Sequence, residues 1–167
     1  MAHTPHPALE PVSVGCAVVT ISDTRSPAED KSGQWIQAAL KDAGHQVMSY
    51  GVVRDEPDLI RSHLQGLTEN AEVQAIILNG GTGIAPRDTT YDAVQALLDK
   101  ELPGFGELFR ALSYTEIGSR AIATRATAGV YCSRLVFSLP GSTAAVRLGM
   151  ESLILPELVH LSQLLIQ

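Results

Sequence analysis

The stretch VQAIILNGGTGIAPRDTT, residues 73–90, joins an apolar run to a loop with three glycines and leads into a segment with helical character. The run at residues 73–79 is typical of a strand that is buried on both faces of a sheet. Gly80, Gly81 and Gly83 follow at once, and glycine lets backbone N–H groups approach a ligand closely. Exposed N–H groups between a strand and a helix form a natural anion site. This junction therefore predicts an α/β fold with a ligand loop.

The preceding residues repeat the alternation of strand and helix. Apolar runs predict strands, and apolar residues at helical spacing predict helices between them. Strands that alternate with helices favour a parallel sheet with helices on both faces, whose ligands lie at the carboxyl ends of the strands. The predicted strands cover residues 14–21 and 45–53, and the predicted helices cover residues 32–43 and 56–70.

The second half of the chain is predicted with the same rules. Residues 91–102 and 104–118 indicate two helices separated by Pro103, and residues 119–129 indicate a short helix. A strand should end at Leu139, and an amphipathic stretch over residues 143–166 is interrupted by Pro156. We expect a flexible, Pro-rich tail over residues 1–12 and a single domain over residues 13–167.

Composition limits the class of protein. Charged residues make up 18% of the 167 residues, below the ~25% usual in soluble domains, which favours a well-buried domain or an oligomer. The net charge of −6 with no basic block argues against nucleic-acid binding. No apolar stretch approaches a membrane span of ~20 residues. Cys16 and Cys132 lie in apolar, strand-like contexts and are expected to be reduced thiols. We therefore expect a cytoplasmic protein.

Polar residues follow several of the predicted strands, and their loops should meet at one edge of the sheet. Thr82 could donate a hydroxyl, Arg87 could pair with phosphate, and Asp88 could hold Mg²⁺. Two or three carboxylates beside glycine loops suit a metal-bound triphosphate. The other candidates at these strand ends are Ser22 and Asp23, Asp55, and the turn of Pro140, Gly141 and Ser142.

Each of these residues also has a structural interpretation. The glycine loop could be a tight turn with Thr89 or Thr90 as the helix N-cap, and Asp88 would then favour the helix start. Asp55 could cap the helix near Pro57, and Asp23 could close a turn. The five histidines have no metal-ligand spacing, and no Ser-His-Asp or Cys-His arrangement supports nucleophilic catalysis.

Five motifs, in order, carry a resemblance to a known family. They are TISDTRSPAEDKSG, VVRDEPDLI, LNGGTGIAPRDTT, PGFGELFRALSYTEIG and LPGS. Together they resemble the MoaB/MogA family of molybdenum cofactor biosynthesis, over nearly the whole chain after Val14. The segment LSYTEIG is closer to the MoaB branch. The resemblance implies a three-layer α/β/α fold with a mostly parallel sheet and a homo-oligomer, either a trimer or a hexamer. It also implies that Mg²⁺ and ATP adenylylate molybdopterin and that pyrophosphate is released.

The resemblance also implies roles for residues. Asp55 and Asp88 would be the catalytic carboxylates and would hold Mg²⁺. Arg87 would contact phosphate, and Glu107 would face the pterin or support the start of a helix. The remaining nucleotide- or pterin-binding residues would be Ser22, Asp23, Gly80, Gly81, Thr82, Gly83, Pro140, Gly141 and Ser142.

Two hypotheses follow from the resemblance. The protein is an active molybdopterin adenylyltransferase, or it is a non-catalytic pterin-binding or assembly protein with the same fold. Implied partners are molybdopterin, ATP, further copies of the chain and other molybdenum cofactor enzymes. Where the family often has Ser-Arg-Ala, this chain has Thr124-Arg125-Ala126, which keeps a hydroxyl group.

Overall fold

A six-stranded sheet runs through the protein in the computed structural model, which describes residues 12–166. Of the tail expected over residues 1–12, all but Val12 therefore lies outside the described residues. The strands are β1 (Gly15–Ile21), β2 (Gln46–Val53), β3 (Ala75–Asn79), β4 (Lys100–Glu101), β5 (Thr127–Tyr131) and β6 (Arg134–Leu139).

Six α-helices connect or follow these strands. They are α1 (Lys31–Asp42), α2 (Pro57–Thr68), α3 (Thr90–Gln95), α4 (Pro103–Ile117), α5 (Thr143–Gly149) and α6 (Leu155–Leu164). A 3₁₀ helix covers Gly118–Ala123, and a π-helical turn covers Met150–Ile154.

The sheet is mostly parallel, as expected. Its strand order is β2-β1-β3-β6-β5-β4. The first four strands in this order pair in parallel, while β5 is antiparallel to both β6 and β4. The carboxyl ends of β2, β1, β3 and β6 therefore meet at one edge of the sheet, with β2 outermost.

Helices cover both faces of the sheet and give the expected three layers. On one face, α1, α4, α5 and α6 contribute buried side chains such as Ile36, Phe109, Val146 and Leu158 to a core that includes Val18. On the other face, α2 and α3 bury residues against the alternate side chains of the same strands, including Ile60, Leu64, Val94, Val19 and Ile76. This burial on both faces explains the continuous apolar runs of β1 and β3.

Local signals fix the ends of several helices. The Asp30 side chain accepts the Gly33 N–H at 3.0 Å and caps α1. Gly44, which has a φ of +86°, follows the end of α1 in the left-handed conformation that glycine tolerates. The Ser142 hydroxyl accepts the Ala145 N–H at 3.2 Å and caps α5, as expected.

The region between α3 and β6 differs from the prediction. The helix predicted over residues 91–102 ends at Gln95, because Lys100 and Glu101 pair with β5 as an edge strand. The short helix predicted over residues 119–129 is instead the 3₁₀ helix followed by β5. Strand β5 depends on pairing with β6, a hairpin contact that periodicity within residues 119–129 does not reveal.

Two further expectations were wrong. Cys132 is exposed at the turn between β5 and β6, where it and Ser133 have positive φ of 47° and 58°; only Cys16 is buried. Pro156 does not interrupt the C-terminal stretch, since α5, the π-helical turn and α6 follow one another directly. Pro156 lies at the start of α6, and the π-helical turn before it absorbs the local irregularity.

Candidate functional site

A cavity of ≈ 420 Å³ lies at the carboxyl ends of β1, β3 and β6. This is the edge of the sheet at which the sequence predicted ligand binding. Most of the predicted binding residues line the cavity: Ser22, Gly80, Gly81, Thr82, Gly83, Asp88, Pro140 and Gly141.

The glycine loop, residues 80–83, passes between the ends of two other strands. The Gly80 N–H donates to the Leu139 carbonyl at 2.9 Å. Gly80 has a φ of +104°, and a Cβ there would collide with the Ile21 carbonyl oxygen. Only glycine fits this close approach without strain, so the start of the loop is held between β1 and β6.

Asp55 is buried beneath the loop, with 5% of its surface exposed. Its Oδ1 accepts hydrogen bonds from the Thr89 N–H at 3.1 Å, the Thr89 hydroxyl at 2.7 Å and the Thr90 hydroxyl at 3.3 Å. Asp55 does not cap α2, whose N-cap is Glu56. Its Oδ2 lies close to Gly81, but Asp55 is not among the residues that line the cavity. It connects the end of β2 to the start of α3.

Asp88 lies at the wall of the cavity. Its Oδ2 accepts the Ala85 N–H at 3.1 Å and folds the loop back on itself. The same oxygen lies so close to Gly83 that a Cβ at this position would approach within 3.0 Å of it. Asp88 therefore faces the glycine loop that the sequence placed beside it. The predicted N-cap role of Thr89 holds only in part, because Thr89 is the N-cap residue of α3 but its hydroxyl donates to Asp55.

Asp23 and Arg87 form an ion pair beside the cavity rather than within its lining. Arg87 Nε donates to Asp23 Oδ2 at 2.7 Å, and Asp23 Oδ1 accepts the Asp55 N–H at 3.1 Å. The Arg87 guanidinium holds the pKa of the Asp23 carboxyl below its usual value, and Asp23 raises the pKa of Arg87. Glu56 lies 4.0 Å from Arg87 Nη2. Acidic neighbours thus already offset much of the Arg87 charge.

The other predicted residues are placed as follows. The Ser22 hydroxyl accepts the Arg25 N–H at 3.1 Å and so shapes the loop after β1. Ser142 caps α5 next to Gly141 and does not line the cavity over the glycine loop. Glu107 lines a separate, smaller cavity of ≈ 80 Å³ together with Arg110. The structure therefore does not bring Glu107 into the site around the glycine loop.

The sequence interpretation did not assign several residues of the cavity wall to the site, among them Arg25 and Thr124, which have polar side chains, and it did not assign Asp30 behind Arg25. Arg25 and Thr124 line the cavity, and Arg25 Nη1 lies 3.8 Å from a carboxylate oxygen of the buried Asp30. The Asp30 carboxylate also accepts from the Tyr50 hydroxyl at 2.8 Å. Arg25 lies in the same polar loop as Asp23. The sequence feature that could have identified Arg25 is therefore a positively charged residue in a loop that was already assigned to the site.

The two predicted metal ligands are compatible with Mg²⁺. In Asp55 and in Asp88, one carboxylate oxygen accepts the bonds described above, and the other makes no hydrogen bond within residues 12–166. Within the same residues, no three His, Cys, Asp or Glu side chains form a cluster that could hold a metal. Mg²⁺ commonly takes one or two carboxylates and completes its shell with water and substrate phosphates, so two acids suffice.

The fold and the site together define an α/β protein with a polar, ligand-sized cavity over a glycine loop at the carboxyl edge of a mostly parallel sheet. Residues 17–160 match the family described as "Probable molybdopterin binding domain". The chain is 50% identical over 163 residues to molybdenum cofactor biosynthesis protein B of Bacillus cereus, covering 97% of this chain and 96% of that protein. The chain belongs to the MoaB/MogA family.

Solved structures agree with this relationship. A crystal structure of a molybdenum cofactor biosynthesis protein B shares 51% sequence identity and has a TM-score of 0.91, covering 94% of this chain and 98% of the other. The tungsten cofactor synthesizing protein MoaB from Pyrococcus furiosus shares 39% identity and has a TM-score of 0.80, covering 92% and 98%. A role in molybdenum cofactor biosynthesis follows from this membership. Between residues 12 and 166, no helix is long and apolar enough to cross a membrane.

Proposed function

We propose that the protein adenylylates molybdopterin with ATP and Mg²⁺ and releases pyrophosphate. The observation that carries this proposal is the pair Asp55 and Asp88. In each, hydrogen bonds fix one carboxylate oxygen and leave the other without a hydrogen bond in the described part of the chain. The unbonded oxygen of Asp55 lies beside Gly81. At Asp88, the bonded oxygen is the one nearer Gly83. A fixed carboxylate with a free oxygen is suited to hold Mg²⁺, which would offset the negative charge of a polyphosphate.

The reaction joins two phosphates. The terminal phosphate of molybdopterin attacks the α-phosphorus of ATP, a P–O bond forms, and the bond to pyrophosphate breaks. The nucleophile is already anionic, so little general-base catalysis is needed. The protein has to align the two anions and offset their charge. A site with glycine N–H groups, the Arg25 guanidinium and, among the described residues, no histidine in the cavity lining suits this requirement.

Asp55 and Asp88 are the residues that would hold Mg²⁺, which would offset the charge of the triphosphate when bound. Asp88 is the better placed, because it lines the cavity. Asp55 would act from beneath Gly81, and it would also fix the start of α3 through Thr89 and Thr90. Because Asp88 lines the cavity and Asp55 lies beneath the loop, we expect the two carboxylates to contribute differently to metal binding.

One observation favours the second candidate function, a non-catalytic molybdopterin-binding or assembly protein. The three hydrogen bonds that Asp55 accepts from Thr89 and Thr90 are enough to explain the presence of this carboxylate by a structural role. Asp55 would then be retained for the shape of the loop rather than for catalysis. The test therefore needs variants that remove the negative charge of Asp55 or Asp88 but keep an oxygen that can accept its hydrogen bonds.

The test is incubation of the purified protein with molybdopterin, ATP and Mg²⁺, followed by chromatography for the adenylylated pterin and an assay for pyrophosphate. Asp55→Asn and Asp88→Asn keep an acceptor oxygen but remove the charge. Asp58→Asn is the matched control, because Asp58 is exposed on α2 and paired with Arg61. We expect product from the wild type and the control, and a rate lower by about 10²-fold or more in the two site variants.

The opposite results are equally informative. If the wild type binds molybdopterin but forms neither product nor pyrophosphate, the binding-protein function replaces the enzyme. If Asp55→Asn alone keeps full activity, Asp55 is a structural residue and Asp88 carries the charge-dependent step.

We also propose that the protein is a cytoplasmic homo-oligomer, a trimer or a hexamer. Support comes from apolar side chains that α4 and the 3₁₀ helix leave exposed. Tyr114 is 64% exposed, Ile117 51% and Ile122 91%, and exposed apolar groups of this kind often mark subunit interfaces. Sedimentation velocity gives the mass directly, and a monomer at all concentrations would contradict the proposal.

A further inference from the structure

Arg125 contacts the glycine loop but is not among the residues that line the cavity. Its Nε donates to the Thr82 carbonyl at 3.1 Å, and its Nη2 donates to the carbonyls of Gly83 and, at 3.3 Å, Asp88. The neighbouring Thr124 lines the cavity, whereas Arg125 does not. One guanidinium thus joins the carbonyls of Thr82 and Gly83, at the end of the glycine loop, to the carbonyl of Asp88, which precedes α3.

Side chains of helix α3 also contact the Arg125 guanidinium. Arg125 Nη1 lies 3.2 Å from an Asp92 carboxylate oxygen, and the guanidinium carbon lies 4.8 Å from the centre of the Tyr91 ring. The planar fork of arginine supplies donors in several directions at once, which a lysine ammonium on a flexible stem does not reproduce. The position of Arg125 is therefore set by α3, and the loop is held against it.

Peptide geometry converts these bonds into an orientation of the loop N–H groups. In a trans peptide, the C=O of one residue and the N–H of the next point in opposite directions. The Asp88 carbonyl faces Arg125, and the Thr89 N–H correspondingly points the other way and donates to Asp55 at 3.1 Å. By the same geometry, the Thr82 carbonyl faces Arg125, and the Gly83 N–H points to the opposite side. A cation on the carbonyls also polarises these peptides and strengthens their N–H groups as donors.

We propose that Arg125 is a positioning residue that orients the N–H groups of the glycine loop, that of Gly83 above all, toward an anionic ligand in the cavity. The identity of this ligand as a phosphate of ATP rests on the proposed function. The orientation itself does not, because it depends only on the bonds from Arg125 to the loop. The two can therefore be tested separately.

The main variant is Arg125→Lys, which keeps the charge and removes the fork. Its matched control is Arg61→Lys, since Arg61 is an exposed arginine of α2 that also pairs with an aspartate. Asp92→Asn tests the support from α3; its amide oxygen can still accept from the guanidinium, so it should retain most of the wild-type affinity. The probes are Mg·ATP and inorganic pyrophosphate, titrated by calorimetry, and amide NMR of uniformly ¹⁵N-labelled protein.

In Arg125→Lys, we expect the amide resonances of Gly83 and Thr89 to shift while those of the sheet stay in place. The affinity for both probes should fall about tenfold, and the KM for ATP should rise more than kcat falls. Arg61→Lys should match the wild type. Unchanged loop resonances, or unchanged affinity for pyrophosphate, would overturn the proposal.

Wild-type protein supplies a check that needs no variant. Addition of pyrophosphate should shift the Gly83 amide resonance, and no shift at saturating pyrophosphate would overturn the proposal even if Arg125→Lys fails to fold. A wild type that binds pyrophosphate but makes no adenylylated pterin would remove the proposed function. The role of Arg125 would then still be decided by the loop resonances and the pyrophosphate affinity.

Discussion

Replacing Gly81 with alanine adds one methyl group where the glycine loop meets the side chains of Asp55 and Thr90. A Cβ at this position would lie closer than 3.0 Å to Thr90 Oγ1 and to Asp55 Oδ2, a separation that real Cβ atoms essentially never show. Thr90 is fully buried and Asp55 is only 5% exposed. Neither side chain can swing into solvent, so the methyl group has to displace the contacts that fix the loop.

The expected cost has two parts. Gly81 has a φ of +64°, and an L-residue in the left-handed region costs about 1–2 kcal/mol, less about 0.4–1 kcal/mol gained from a stiffer unfolded chain. The displacement also threatens the hydrogen bonds that Asp55 accepts from Thr89 and Thr90. Bonds to charged groups contribute about 1.5–3 kcal/mol each, so the loss of one or two brings the total to about 3–5 kcal/mol.

Gly44→Ala is the matched control. Gly44 also has a positive φ, +86°, in the left-handed turn that closes α1, but no heavy atom lies within 4 Å of an added Cβ. This variant should therefore lose about 1 kcal/mol or less, the backbone part alone. Urea unfolding of wild type and both variants at one protein concentration measures the difference, since the proposed subunit association would make stability depend on concentration. In thermal unfolding, Gly81→Ala should melt at least about 6 °C below the wild type.

Equal losses in the two alanine variants would refute this reasoning, because backbone strain would then explain both. A double variant provides a second check. Thr90→Ala removes the hydroxyl that the Gly81 methyl group meets first, so the cost of Gly81→Ala should fall by about 1 kcal/mol or more in that background. Additive costs would show that the hydroxyl is not the obstacle.

Three other predictions concern stability and reactivity. Gly66→Ala, in the interior of α2 with open space around the added Cβ, should raise the free energy of unfolding by about 0.5–1 kcal/mol in urea titrations. A chromogenic disulfide reagent should modify Cys132 in the native protein but not Cys16, because burial raises the pKa of the Cys16 thiol to about 12; fast modification of both would contradict this. Burial lowers the pKa of His45, whose Nδ1 accepts the Val14 N–H, so the unfolded state binds more protons and stability should fall as the pH drops below 6.5. His45→Asn keeps an acceptor and should weaken this pH dependence in urea unfolding at pH values on either side of 6.5.

The parallel half of the fold was predictable because its signals are local. The apolar runs of β1 and β3, the cap at Ser142 and the glycine after α1 each depend on residues a few positions apart. The antiparallel edge was not predictable in the same way. Residues 127–131 become a strand only because they pair with β6, and that pairing requires positive φ at Cys132 and Ser133, neither of which is a glycine.

In the candidate site, too, the features with local sequence signals were predictable and the contacts between distant residues were not. The glycine loop, Asp88 and the turn at Pro140 could be assigned to one edge of the sheet, because parallel strands end together. The partners within that edge could not be assigned from the sequence. Asp55 had a plausible local task as a helix cap, but its hydrogen bonds go to Thr89 and Thr90, more than thirty positions away. Arg125 reaches the loop over a similar separation, and the motif Thr124-Arg125-Ala126 was interpreted only for its hydroxyl group, not for a contact with the loop.

The three arginines around the loop have different tasks, and this difference constrains the ligand. Arg87 is paired with Asp23, and Arg125 donates to carbonyls of the loop without lining the cavity. Among these three, Arg25 lines the cavity, together with the carboxylate of Asp88. One guanidinium beside one carboxylate leaves little net positive charge, so the proposed triphosphate would need further stabilisation from backbone N–H groups and from a divalent cation. This balance makes the peptide orientation set by Arg125 as important for anion binding as any charged side chain in the cavity wall.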